Sequence, residues 1–379
     1  MKIKWLIFAV LVVFLVLLMN SGSVAVSTRE VDNVRKKAVL DNSDLKIIDD
    51  FLAQAIQELV GTRDLTDIAK IRTVILSRQS STQGQYAQQF SESARRHIAA
   101  GFRNAQQLPR QERITGVMTN LLILMDGLHD LGLADQAIKM LKNENMVIRY
   151  WAVHCLTNTE IITQLNAATN ANQASAIAAQ LKDLIENSTP EIIALIAQFA
   201  AGADIPEAEQ LLIQIADLRI KQYADWTVKY ELYDSAILKY LSSKIPLLSE
   251  SPVGLLPTTI DTKPELARRF AQLYSYAIQR YIKGAALLND TQKSHLASVL
   301  VETEDKCIGR LLGNPQMTIR RALERQNAQG IMDEHDRLLG TATTPGQLPT
   351  ALKFDYGTTG SSTRTAPLPL PNPPTKQPK

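Results

Sequence analysis

From Leu45 the apolar residues recur at intervals of three and four, as Leu45, Ile48, Phe51-Leu52, Ile56 and Leu59-Val60, until Gly61. That period places them on one face of an amphipathic helix, and glycine commonly closes one. The same pattern predicts helices over 65–76, 86–102 and 109–127, with a short one over 134–141 and a Gln/Ser-rich loop over 77–89. Later it predicts helices over 211–220, 223–241, 264–288, 292–312 and 315–339. Three of these later helices open with similar punctuation: Ser188-Thr-Pro-Glu191, Asp204-Ile-Pro-Glu207 and Thr262-Lys-Pro-Glu265. Each offers a capping side chain, a proline where no amide hydrogen is needed, and a glutamate at the third helical position; with Ser or Thr this is a capping box, and Asp204 is its looser variant. Asn289-Asp-Thr-Gln292 resembles the same device.

The period breaks in three places. Residues 28–43 are mixed and charged, so 26–43 reads as a linker. Residues 242–263 are apolar but carry Pro246, Pro252 and Pro257, and a loop of that length in a compact domain is often functional. From Gly340 onward Thr, Ser, Gly and Pro dominate, and eight of the sixteen prolines follow it, ending in Pro367-Leu-Pro-Leu-Pro-Asn-Pro-Pro374. Such composition builds no core of its own, so 341–379 is expected to be a disordered tail with polyproline II character at its end. The body over 44–340 is therefore all-α, with helices stacked as antiparallel pairs. Its composition agrees: 45% hydrophobic, 6% aromatic, and few Gly or Pro before the tail.

Lys2 and Lys4 precede fifteen uncharged, largely aliphatic residues, Trp5 to Met19, and Ser23-Val24-Ala25 has the small-x-small form of a cleavage site. Residues 1–25 thus read as a secretory signal peptide, or as a single anchor if 5–26 stay in the bilayer. Either way the body is expected to be exported, as a periplasmic, secreted or anchored protein. Without Lys2 and Lys4 there remain 39 basic residues against 38 acidic ones, a balance that builds no field for nucleic acid. Cys155 and Cys307 both sit among apolar residues at helical spacing, the pattern of buried thiols.

Asn145-Met-Val-Ile148-Arg149-Tyr-Trp-Ala152-Val-His-Cys-Leu156 resembles the second helix of a HEAT repeat, whose pattern is Asp-x-x-Val-Arg-x-x-Ala. Pro190-Glu-Ile-Ile193 with Ala197 echoes it about forty-five residues later, a period that suits this class. The resemblance covers mainly 133–220 and implies a HEAT- or armadillo-like superhelix. It also implies that Arg149 bonds toward a neighbouring repeat, although Asn145 replaces the aspartate. An irregular helical array is the other reading of the same helices.

Chemistry is sparse. The chain has no Gly-rich phosphate loop with Lys, no Gly-x-Ser-x-Gly, no His-Glu-x-x-His and no Cys-x-x-Cys. Asp126 with His129, and Asp333-Glu-His335-Asp336, are the groupings nearest to metal ligands, but acids beside a lone His usually form a solvated helix face. Glu302, Glu304 and Asp305 read the same way. No catalytic, metal or cofactor-binding residue is assigned. Aromatic residues mark the candidate binding surface: Tyr223, Trp226, Tyr230, Tyr233 and Tyr240 on one helix, and Phe270, Tyr274 and Tyr281 on the helix after the long loop. Two functions follow. The first is a non-catalytic scaffold of the cell envelope or extracytoplasmic space that docks another protein, since helical arrays build extended binding surfaces. The second is an all-α enzyme or binding protein that takes an envelope glycan or peptide in an aromatic-lined groove. As an enzyme it would need two carboxylates from a set such as Asp225, Glu231, Asp234 and Asp261 to face each other.

Overall fold

The computed structural model describes residues 28–79, 84–247, 263–359 and 362–373. The apolar N-terminal segment, most of the long loop and the last six residues lie outside the described residues. Among the described residues no helix is long and apolar enough to cross a membrane. The fold is all-α, with one two-stranded ribbon near the C-terminus. Its contacts divide it after Leu128 into two compact units, where the sequence pattern suggested one continuous body over 44–340.

In the first unit the helices are α1 (Arg29–Val34), α2 (Asn42–Gly61), α3 (Leu65–Leu76), α4 (Gln85–Gln106) and α5 (Gln111–Leu128). Helices α2, α4, α5 and α3 form a closed ring of neighbours. Asp41 caps α2 and shares a capping box with Asp44, while Asp64 caps α3. Gly101 lets α4 approach closely: a Cβ there would lie 2.9 Å from Ile56 and 3.3 Å from Leu121. Helix α1 corrects the linker expectation for 26–43. Val31 and Val34 bury against α2, and Arg78 pairs with Asp32, so a short charged segment is held by tertiary contact.

The second unit continues with α6 (Ala134–Met140), α7 (Met146–Thr157), α8 (Thr159–Leu165), α9 (Ala171–Lys182), α10 (Pro190–Gly202), α11 (Pro206–Ala224) and α12 (Tyr233–Lys244). Then come α13 (Pro264–Lys283), α14 (Asp290–Thr303), a π-helical turn (Glu304–Ile308), α15 (Gly309–Leu312), α16 (Thr318–Glu324), α17 (Ala328–Leu339), α18 (Gln347–Leu352), β1 (Thr358–Thr359) and β2 (Ser362–Thr363). Successive helices pair: α6 with α7, α7 with α10, α10 with α11 and α12, and both of these with α13. On helix α7, Ile148, Ala152 and Leu156 are buried, and Asn145 accepts from the amides of Val147 and Ile148 as an N-cap. Arg149 donates to Asn143 O and Glu144 O just before its own helix, which is where its hydrogen bonds go instead of to a neighbouring aspartate.

Local signals and tertiary outcome differ in three ways. Helices α10, α11 and α13 do begin at their prolines, but the residues at the cap are Thr189, Ile205 and Lys263, and none forms a side-chain cap. Asn289 and Gln292 do form the reciprocal box. The helix expected over 223–241 is broken after Ala224, where Trp226 and Tyr230 both take left-handed backbone. Glu304, read as exposed, is fully buried: the π-helical turn carries it inward, where it accepts from the amides of Ile319 (2.7 Å) and Arg320 (2.9 Å).

After residue 340, described residues pack on the helices as far along the chain as Leu370. Leu348, Leu352, Phe354, Tyr356 and Leu370 are buried, and the Tyr356 hydroxyl donates to Leu339 O at 2.9 Å. A chain without a core of its own can still bury side chains on a surface already built. No disulfide joins Cys155 and Cys307, whose thiols are both buried.

Candidate functional site

Helix α13 is the centre of the second unit, and every residue from Phe270 to Arg280 is buried. A helix enclosed on all sides is normally apolar all round. This one carries Arg268, Gln272, Gln279 and Lys283, spaced four, seven and four apart and therefore along one face. Buried amides require partners. The C-terminal segment supplies them.

Prolines at 367, 369, 371 and 373 fix their own φ and push each preceding residue into extended backbone, so 366–373 is biased to polyproline II by local sterics alone. That helix repeats every three residues. Accordingly Pro367 and Leu370 are buried while Leu368 is 47% exposed. Proline has no amide hydrogen, so between Pro367 and Pro371 only Leu368 and Leu370 can donate. Leu368 N–H donates to Gln272 Oε1 at 2.8 Å, and Gln272 Nε2 returns a bond to Leu368 O at 3.1 Å. Leu370 N–H donates to Gln279 Oε1 at 2.7 Å, and Lys283 Nζ donates to Leu370 O at 2.6 Å. Trp226 Nε1 completes the cradle by donating to Pro371 O at 3.0 Å. Upstream, Arg268 Nε holds Asp355 O at 2.7 Å and Thr365 Oγ1 holds Thr341 O at 2.7 Å.

Trp226 reaches this position through the end of α11. Its amide bonds Tyr223 O, the Thr227 amide bonds Gln222 O, and Trp226 itself has φ of 56°. This is a Schellman closure with tryptophan where glycine is usual, which costs roughly 1–2 kcal/mol of backbone strain. The Arg280 guanidinium lies 5.3 Å from the Trp226 ring centre and 5.9 Å from that of Tyr223, and pairs with buried Glu231 at 3.0 Å. Beneath it, Arg219 makes a two-pronged pair with Asp234 (2.7 and 2.9 Å), Tyr223 donates to Asp234 at 2.8 Å, and Arg219 also holds Lys229 O. Burial and the adjacent carboxylate push the Tyr223 phenol well above its ordinary value. This ionic floor fixes the loop 225–232 that carries Trp226.

A second chain of hydrogen bonds leads inward from the cradle. Gln279 Nε2 donates to Ser275 Oγ (2.9 Å), Ser275 Oγ meets His335 Nε2 (2.8 Å), and His335 Nδ1 meets Asp336 (2.9 Å). Burial holds His335 below its ordinary value despite Asp336, so the neutral ring donates from Nδ1 and accepts from the Ser275 hydroxyl. The order Ser–His–Asp is that of a nucleophilic triad. Here, however, Ser275 is fully buried mid-helix, where the amides that could form an oxyanion hole are already bonded within α13. The array is a polar strut behind Gln279.

The eight aromatic candidates fall into different places. Tyr223, Phe270 and Tyr274 are core, with Phe270 stacked on Tyr274 at 6.3 Å. Trp226 belongs to the cradle. Tyr230 is exposed, and Tyr233 is half-buried near Glu191 and Tyr150. Tyr240 lines a cavity of about 200 Å³ with Glu302 and Cys307, and Tyr281 is half-buried at the end of α13. They do not form one groove, because the break at Trp226 rotates the sevenfold spacing apart. Among the carboxylates weighed for catalysis, Glu231 and Asp234 are in buried ion pairs, Asp225 is exposed, and Asp261 lies outside the described residues. Among the described residues no three His, Cys, Asp or Glu side chains gather as metal ligands. The residues that sequence reading missed are Gln272, Gln279 and Lys283. Their signal was a polar stripe at helical spacing on a helix otherwise rich in core residues. Comparison with protein-family models, curated proteins and solved structures finds no match for this chain.

Proposed function

We propose that this chain is a non-catalytic interaction protein acting outside the cytoplasm, and that the α13 cradle is a surface through which it docks another protein. One observation carries the reading: Gln272, Gln279, Lys283 and Trp226 each form a hydrogen bond with the main chain of an extended proline-rich segment. Main-chain bonding along a proline-fixed strand is a recurring mode of peptide recognition, helped by the low entropy lost on binding. The export half rests on Lys2, Lys4, the apolar run from Trp5 and the small residues at Ser23–Ala25. A HEAT-like kinship of residues 133–220 is supported by the buried Ile148, Ala152, Ile193 and Ala197 on paired helices. Crosslinking and capture from the native envelope tests the proposal, comparing the wild type with a Gln272→Ala/Gln279→Ala variant. A partner lost with the glutamines supports it. Turnover of an envelope polysaccharide with no partner recovered would favour the glycan enzyme instead.

A further inference from the structure

We propose that the cradle is an exchangeable site, occupied in cis by residues 367–373 and in trans by a proline-alternating segment of a partner protein that carries an aliphatic residue three positions after a proline. This rests on the reading of α13 as a docking surface and adds its ligand class and its regulation.

The contacts define that class. The cradle reads two amide hydrogens two residues apart, the carbonyls of 368, 370 and 371, and one apolar edge formed by Pro367 and Leu370. Leu368, Pro369, Pro371 and Asn372 face solvent, so their side chains are not read. Any strand with prolines alternating through the same register presents the same groups.

The cis segment is also separable from the fold that carries it. Its hydrogen bonds run to side chains of one helix and one indole, with no backbone ladder. Its upstream anchors at Tyr356 and Thr365 are independent of it. The receptor, in contrast, holds strain and unmet polarity that packing alone does not require. Trp226 sits in left-handed backbone, and Arg280 is 4% exposed with Nε and Nη1 lacking acceptors among the described residues. Strain of that kind gathers at ligand clamps.

Tethering makes the cis segment a strong competitor, since a short linker holds it at an effective concentration on the order of millimolar. Trans affinity is then lowered by the fraction of cradles that stand open. The probe is a fluorescein-labelled peptide of the chain's own residues 366–373, titrated by anisotropy against the full chain. Leu370→Asp undocks the tail from its own side and leaves the cradle intact; a stop after Ala366 is the independent second variant. Both are expected to bind the peptide roughly 10–100-fold more tightly than wild type. Adding Gln272→Ala and Gln279→Ala to Leu370→Asp is expected to abolish that gain. Equal affinity of both tail variants and wild type overturns the proposal, as does binding that survives loss of both glutamines. Wild-type dimerisation that disappears with Leu370→Asp would assign the segment to a second copy and overturn the partner. Failure here with glutamine-dependent capture intact removes exchange alone. Peptide binding without such capture leaves the ligand class standing and removes the docking function.

Discussion

Asp234 is the side chain on which the cradle's floor depends, and its removal tests that dependence. Arg219 is 2% exposed and Asp234 fully buried, with two hydrogen bonds between them and a third from Tyr223. Asp234→Ala leaves a guanidinium charge and a phenol hydroxyl unpaired in the interior. Breaking a buried pair from one side costs roughly 3–5 kcal/mol, mainly because the remaining charge is desolvated without compensation. For a unit of about this size each kcal/mol lowers the melting temperature by roughly 2–4 °C, so a drop of about 6–20 °C is expected by calorimetry. Removing all three polar groups together, as Arg219→Met/Tyr223→Phe/Asp234→Leu, should recover most of the loss, since no orphaned charge is left. Trp226 fluorescence in the triple variant should shift even as stability recovers, because Arg219→Met removes the donor that holds Lys229 O and the loop 225–232 loosens. A cost below about 1 kcal/mol for Asp234→Ala, or a triple variant no more stable than the single one, would refute this reasoning.

Other outcomes follow from the same geometry. Gly101→Val forces a side chain against Ile56 and Leu121 and should destabilise the first unit by about 1–3 kcal/mol in chemical denaturation. Glu304→Ala strands the amides of Ile319 and Arg320 and should cost about 1–3 kcal/mol, read from the urea midpoint. The folded protein holds the His335 proton less firmly than the unfolded chain does. Its contribution to stability is therefore fully present above the ordinary value of 6.5 and lost as pH falls through the lowered folded value. Melting curves across that window should flatten in His335→Gln.

Much of the helical scaffold was legible because its signals are local. Asn42–Gly61 and Leu65–Leu76 announce themselves by apolar period, with a terminal glycine closing the first, and the structure adds the Asp41 and Asp64 caps. Asn289 and Gln292 form the box that their spacing implies. Prolines at 190, 206 and 264 mark helix starts because the ring forbids an interior position, whatever surrounds it.

The candidate site was far less legible. A heptad of aromatics reads as one stripe only if the helix continues, and at Trp226 the chain turns left-handed with no glycine to signal it. The inward turn of Glu304 comes from one inserted π-helical turn, which shifts every following residue around the axis and leaves no mark in composition.

Sequence by itself determined most of the helices, the Asn289–Gln292 cap and the proline-marked helix starts, and the extended backbone of residues 366–373, because propensity, period and proline sterics act over a few residues. Tertiary structure decided that α13 is enclosed, that its polar stripe meets the tail, and that Trp226 closes over Pro371. Those pairings join residues 87 to 145 positions apart, from Lys283 with Leu370 to Trp226 with Pro371. Such distances are bridged only when packed helices have already set the two surfaces side by side.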